Sequence, residues 1–131
     1  MTELQIGVKI AMRNADGKYL LVRRSAKKYP EVGPRWDIVG GRINPGTPLM
    51  ENLRREVMEE TGLEISSPVL IAAQDILRIE GRHVVRLTYI GNAEGTPKLI
   101  EEHTEYGWFT VEEMKNLENL DIYFRELLDK L

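Results

Sequence analysis

The chain has 131 residues, 42% of them hydrophobic and 30% charged, which is the size and balance of one compact domain with one core and one site. It has no cysteine, so disulfides, thiolate metal sites and a cysteine nucleophile are excluded, and its net charge of −3 argues against nonspecific binding to a nucleic-acid duplex. No stretch approaches the roughly 20 apolar residues that span a bilayer, and the first residues lack signal-peptide features, so the expectation is a soluble cytoplasmic protein, monomeric or homodimeric, with no membrane partner.

Leu4 to Met12 reads as a strand, closed by the turn signal Asn14-Ala15-Asp16-Gly17 and followed by a second strand, Tyr19 to Val22, so the two should form a hairpin. A basic loop follows, carrying Arg23, Arg24, Lys27 and Lys28, then Tyr29 and the stretch Pro30 to Pro34. Trp36 to Val39 is a short apolar segment running into Gly40-Gly41. Asn44 to Pro48 then makes a turn and a helix start, with Thr47 expected as N-cap, Pro48 at the first helical position, and Gly62 as the stop after Thr61. Val69 to Asp75, Ile76 to Ile79 and His83 to Ile90 are expected strands, the last two joined through Glu80-Gly81-Arg82. Gly107 to Phe109 adds another, Thr110 with Glu113 signals a capping box, and Ile122 to Leu131 is expected to form a terminal helix. The order implies residues 1–131 as a single domain of the α/β (α+β) class, a mixed sheet with helices packed on it.

On a wheel of about 100° per residue, Leu49, Met50, Leu53 and Val57 share one arc of the helix over residues 48–61. Glu60 falls inside that apolar arc, Glu56 at its edge and Glu59 beside them. A carboxylate turned toward the protein body is costly unless protonated, paired or metal-bound. Oxygen ligands of this kind suit Mg²⁺ or Mn²⁺, which bridge phosphates and activate water. The alternative is an ordinary solvated acidic face neutralised by Arg54 and Arg55. The glycines before the helix, able to bring backbone close to a ligand, favour the metal-phosphate reading.

From Gly41 the chain reads G-R-I-N-P-G-T-P-L-M-E-N-L-R-R-E-V-M-E-E-T-G-L, which resembles the Nudix box, G-x5-E-x7-R-E-U-x-E-E-x-G-U with U an aliphatic residue. Gly41, Arg55, Glu56, Val57, Glu59, Glu60, Gly62 and Leu63 match, whereas Thr47 stands in place of the first Glu. Val39 and Asn44 also replace a proline and an acid often found near the glycine pair. The resemblance implies a Nudix fold, a mixed sheet sandwiched between helices. It also implies Mg²⁺-dependent cleavage of a pyrophosphate bond in a nucleoside diphosphate derivative, with Mn²⁺ as a possible substitute. In the family the first Glu supports the loop through the box arginine, so Thr47 puts rate and loop rigidity in question more than metal binding. Glu51, one turn before Arg55, is the expected substitute partner.

Similarity to MutT-type members extends over nearly the whole chain, and it implies further roles. Gly40 would supply a backbone carbonyl, and Glu56, Glu59, Glu60 and Glu102 carboxylates, to the metal, with Glu102 also a candidate base and Glu101 and Glu105 its competitors. Arg24 stands where a phosphate-contacting arginine is found, and Asp121 where an Asn or Asp reads the base edge; a strand-end arginine and an N-cap are the plainer readings. Trp36 is either a base-stacking platform or core. His83 and His103 lack ligand spacing and read as structural or surface residues. The substrate favoured by exclusion is a nucleoside triphosphate, including an oxidised one. The markers of ADP-ribose and dinucleoside polyphosphate hydrolases are absent around Arg78 to Gly81, and only a faint likeness to coenzyme A hydrolases appears near Leu20 to Ala26. Sugar nucleotides remain an alternative, as does a nucleotide-sensing Nudix module that does not cut, for which Thr47 is the best argument.

Overall fold

The computed structural model describes residues 1–25 and 34–131, so Lys27, Lys28 and Tyr29 of the expected basic loop lie outside the described residues. Its strands are β1 (Glu3–Arg13), β2 (Tyr19–Arg24), β3 (Trp36–Asp37), β4 (Val39–Arg42), β5 (Ser66–Ile76), β6 (Arg82–Asn92) and β7 (His103–Phe109). The helices are α1 (Leu49–Thr61), α2 (Val111–Lys115) and α3 (Ile122–Arg125), with a 3₁₀ turn at Leu128–Lys130. The class is the expected mixed sheet with helices on both faces.

β1 organises the sheet. One of its edges pairs in parallel with β6 over the whole length, from Glu3↔Arg82 to Arg13↔Asn92. Its other edge is shared, β4 taking Gly7 to Ile10 and β2 joining only at Arg13↔Tyr19. The expected hairpin is therefore present but opens at once, and β2 goes on to pair with β3 and β7. This fork curls the sheet and brings the Gly40-Gly41 backbone beside β1.

Alternation along the strands divides the core in two. Val8, Ile10 and Met12 join Leu20, Val22, Leu53 and Val57 under α1. Ala11, Tyr19 and Leu21 join Ile38, Met114, Phe124 and Leu128 under the C-terminal helices. Leu53 and Val57 are fully buried, each worth about 1.5–3 kcal/mol of apolar burial.

Several boundaries differ from expectation. Ile76 to Ile79 is not a strand. β5 is continuous to Ile76, which pairs with Val84, so residues 77–81 are spent on the connection. The terminal helix breaks after Arg125 because bonding tightens to i−3: Leu127 N–H donates to the Phe124 carbonyl and Lys130 N–H to that of Leu127. Thr47 does not cap α1; Pro48 precedes the helix with an extended ψ of 149°, and no side chain caps it. Thr110 and Glu113 do form the expected capping box. No helix among the described residues is long and apolar enough to cross a membrane.

Candidate functional site

The loop ahead of α1 is held by Asn52 rather than by an acid. Its buried amide donates to the carbonyls of Thr47 and Pro48, both at 2.9 Å, while its oxygen accepts from Asn44 N–H at 2.9 Å and Arg55 Nη1 at 3.0 Å. Arg55 also donates to Glu56 at 3.1 Å and lies 3.8 Å from Glu59, so its partners are Asn52, Glu56 and Glu59, and not Glu51. Asn52→Leu should therefore cost about 2–4 kcal/mol in denaturant-measured stability, because several buried polar groups lose their partner at once. A loss under about 0.5 kcal/mol would show that the loop is held otherwise.

At the end of β4, Gly40 adopts φ +155°, and a Cβ there would lie 2.0 Å from the Val8 carbonyl oxygen. A Cβ on Gly41 would lie 2.6 Å from Glu56 Oε2. At Gly40 only glycine lets the backbone run this close to β1, whereas at Gly41 a Cβ would displace the carboxylate end of Glu56. Gly40 reaches the site through its N–H, which donates to Glu60 Oε2 at 3.2 Å. Gly62 ends α1 in the left-handed region at φ 72°.

The three box glutamates are not equivalent. The Glu60 side chain is 11% exposed, that of Glu56 19% and that of Glu59 60%. Glu60 and Glu56 line a cavity of about 450 Å³ together with Glu102, while Glu59 stands outside it. Burial, then the charge of Glu56, push the Glu60 carboxyl up to about 7, against the opposing pull of Lys9 and the Gly40 N–H. His103, also at the cavity, is buried rather than on the surface. Its Nε2 lies 3.5 Å from Glu60 Oε1, and burial followed by Lys9 and Arg24 push it down to about 4, so it stays neutral and does not offset the carboxylate. His83 pairs with Asp75 on the outside.

Among the described residues no three acidic or histidine groups form a ready-made metal cage. The donor chemistry still fits a hard divalent cation. The groups are carboxylate oxygens, Glu60 is buried beside a second acid, and among the described residues its one ion-pair neighbour is the neutral His103. Of the rival acids, Glu105 is engaged with Arg23 at 2.8 Å and does not line the cavity, and neither does Glu101.

The cavity floor is a charge network the sequence reading missed. Buried Asp37 accepts from Lys9 at 3.1 Å, Arg24 at 3.1 Å, Arg86 at 3.0 Å and the Ile38 N–H at 2.7 Å. Arg86 also donates to Asp121 at 2.8 Å, and Asp121 accepts from Phe124 N–H, so Asp121 caps α3 and faces the cavity as well. Arg24, expected to contact phosphate, lines the cavity while paired with Asp37. Trp36 does not. Its ring meets Phe109 edge-on at 5.2 Å between centroids, on the border of the second core cluster, which is the packing alternative given for it. Arg35, Arg42, Arg78 and Arg82 complete a strongly basic lining. Burial, then Arg82, Arg24 and Arg78, push Arg42 below its ordinary value, as expected where cations crowd together.

Residues 3–131 match the family model for the NUDIX domain. The chain is 28% identical over 90 residues to a Mycobacterium tuberculosis protein provisionally named 8-oxo-dGTP diphosphatase 2, covering 68% of this chain but only 63% of that relative. It is 28% identical over 109 residues to the CTP pyrophosphohydrolase of Escherichia coli K12, covering 82% and 78% respectively. Among solved structures it superposes on a MutT protein from Methanosarcina mazei Go1 with a TM-score of 0.84 and 30% identity, over 98% of this chain and 93% of that one. With the glycine-backed helix, the inward Glu56 and Glu60 and a cavity lined by them all present, the chain belongs to the NUDIX domain family and is MutT-like in fold.

Proposed function

We propose that this chain hydrolyses a pyrophosphate bond of a nucleoside triphosphate, releasing the monophosphate and pyrophosphate, in a reaction that depends on Mg²⁺ or Mn²⁺. The observation that carries the reading is Glu60: a carboxylate buried at the edge of a basic cavity, beside Glu56 and against the Gly40 N–H. Glu56, Glu60 and Glu102, with the Gly40 carbonyl, would hold the cation, and Glu59, outside the cavity beside Arg55, would join them only after its side chain turns from Arg55. When bound, it neutralises phosphate charge and makes water a better nucleophile. Arg24 orients the phosphates from the cavity floor, and Asp121 offers a carboxylate to the base edge. Water adds to phosphorus, the anhydride P–O bond breaks with its electron pair leaving on the departing phosphate, and the proton of the water passes to Glu60 or Glu102. The names of the relatives, which refer to 8-oxo-dGTP and CTP, support a nucleoside triphosphate including an oxidised one. The lack of cysteine is compatible with a reducing compartment such as the cytoplasm.

The test is a panel of canonical and oxidised nucleoside triphosphates, ADP-ribose, sugar nucleotides and dinucleoside polyphosphates, with Mg²⁺ or Mn²⁺ and with EDTA. Mass spectrometry should find a monophosphate and pyrophosphate from one or more triphosphates, in the metal samples only. Binding without any product would favour the nucleotide-sensing alternative.

A further inference from the structure

The cations at the cavity fall into two groups that differ in what balances them. Lys9, Arg24 and Arg86 on the floor each touch Asp37. Arg35, Arg42, Arg78 and Arg82 line the same cavity and form no ion pair among the described residues. Arg42 Nε donates to Gln5 at 2.8 Å, Arg78 lies 5.7 Å from the ring centroid of Tyr123, and buried Arg35 Nη1 has no hydrogen-bond partner among the described residues. Glu3, level with Arg82 and acting on Arg42, offsets part of this charge without forming an ion pair, and an anion in the cavity would relieve the rest.

Their place along the sheet separates them from the acids. Gly40 is level with Lys9 of β1, whereas Arg82 is level with Glu3, six residues farther along. At about 3.3 Å per strand residue that is roughly 20 Å. Arg78 lies on the connection leading to Arg82, so the two mark one end of the cavity while Glu56 and Glu60 mark the other. A diphosphate gripped at the acid end leaves this arginine end to a different part of the same substrate.

We propose that Arg78 and Arg82, with Arg42 between them and the acid end, form a second anion subsite, and that the preferred substrate carries a phosphate group remote from the bond that is cut. This deepens the hydrolase reading and rests on it for the word substrate. The remote group has two sources of the same chemistry, an extra phosphate on the sugar or the far end of a longer polyphosphate chain. Guanidinium groups suit either, because they offer paired N–H donors to phosphate oxygens and hold their charge at every working pH.

Calorimetric binding in EDTA tests this without turnover, using GTP, GTP with an added 3′-phosphate, and guanosine 5′-tetraphosphate. The native chain should bind at least one of the latter two about 10-fold or more tightly than GTP, a preference that weakens as salt rises. In Arg78→Gln/Arg82→Gln, the ratio of that affinity to the affinity for GTP should fall to within about 2-fold. Whichever nucleotide carries the preference identifies the source of the phosphate. Equal affinities in the native chain, or a preference that survives the double substitution, would overturn the subsite. Failure of the hydrolase reading would show separately, as absence of products with Mg²⁺.

Discussion

Replacing Glu60 with glutamine is expected to lower turnover by roughly 10³-fold while leaving the fold intact, because it removes the most enclosed of the three box carboxylates without changing side-chain volume. Glutamine still accepts the Gly40 N–H. What it lacks is the anionic oxygen and the capacity to take a proton. Glu59→Gln should be milder, since Glu59 is largely exposed, is held near Arg55 and does not line the cavity. A second readout comes from stability without metal. The Glu60 carboxyl is raised from 4.5 to about 7 in the fold, so its contribution is complete below about pH 4.5 and is lost as pH rises through about 7. Native protein in EDTA should therefore lose stability, on the order of a few kcal/mol, between about pH 5 and about pH 8, and Glu60→Gln should not show that slope. Urea titrations at the two pH values measure it. Near-normal turnover in Glu60→Gln would sink the catalytic assignment, whatever the stability data show.

That glutamate was legible because a helix wheel carries burial information. The arc that held Leu53 and Val57 also held Glu60, and all three are buried, whereas Glu59 fell off the arc and is exposed. The strands were legible for the same reason, an apolar period that survives into the packing. Local sequence failed where structure is set by distant partners. Nothing near Leu4 to Met12 shows that β1 takes β6 in parallel on one edge and splits the other between β4 and β2, since register depends on chain segments many residues away. The Thr47 cap failed because Pro48 takes the N-cap position with an extended backbone, while Asn52, the fourth residue of the helix, ties down the Thr47 and Pro48 carbonyls. The floor network left a signal that was not used. Lys9 in G-V-K-I-A, Asp37 in W-D-I-V and Arg86 in V-V-R-L-T are lone charges within apolar strands, and a lone buried charge demands a partner. Of the signs available, Lys9 and Arg86 require an acid, and Asp37 lies in the neighbouring strand system to provide it.

Asp37→Asn should accordingly be the most destabilising single substitution proposed for this chain, by about 3–5 kcal/mol at neutral pH, because it leaves Lys9, Arg24 and Arg86 together in the interior without their shared anion. The asparagine keeps the shape and the Ile38 N–H bond but turns an acceptor of charge into a dipole. The pH profile separates this cause from simple misfit. Burial would push the Asp37 carboxyl up, yet Arg86, Lys9 and Arg24 beside it hold it far below the usual carboxylate range. A depressed folded pKa gives stability that is fully present above the unfolded value of about 4 and is lost as pH falls toward the folded one. The native chain should thus weaken steeply below about pH 4, and the gap between it and Asp37→Asn should narrow there. Lys9→Met supplies the converse control. Burial already pulls the Lys9 amine down to about 8, so this ammonium is held at a cost, and Asp37 keeps two guanidiniums without it. Lys9→Met should therefore cost far less than Asp37→Asn, and in the double substitution the two losses should fall short of additive. Additive losses, or a gap that stays constant down to about pH 3, would show that Asp37 acts through packing and not through charge.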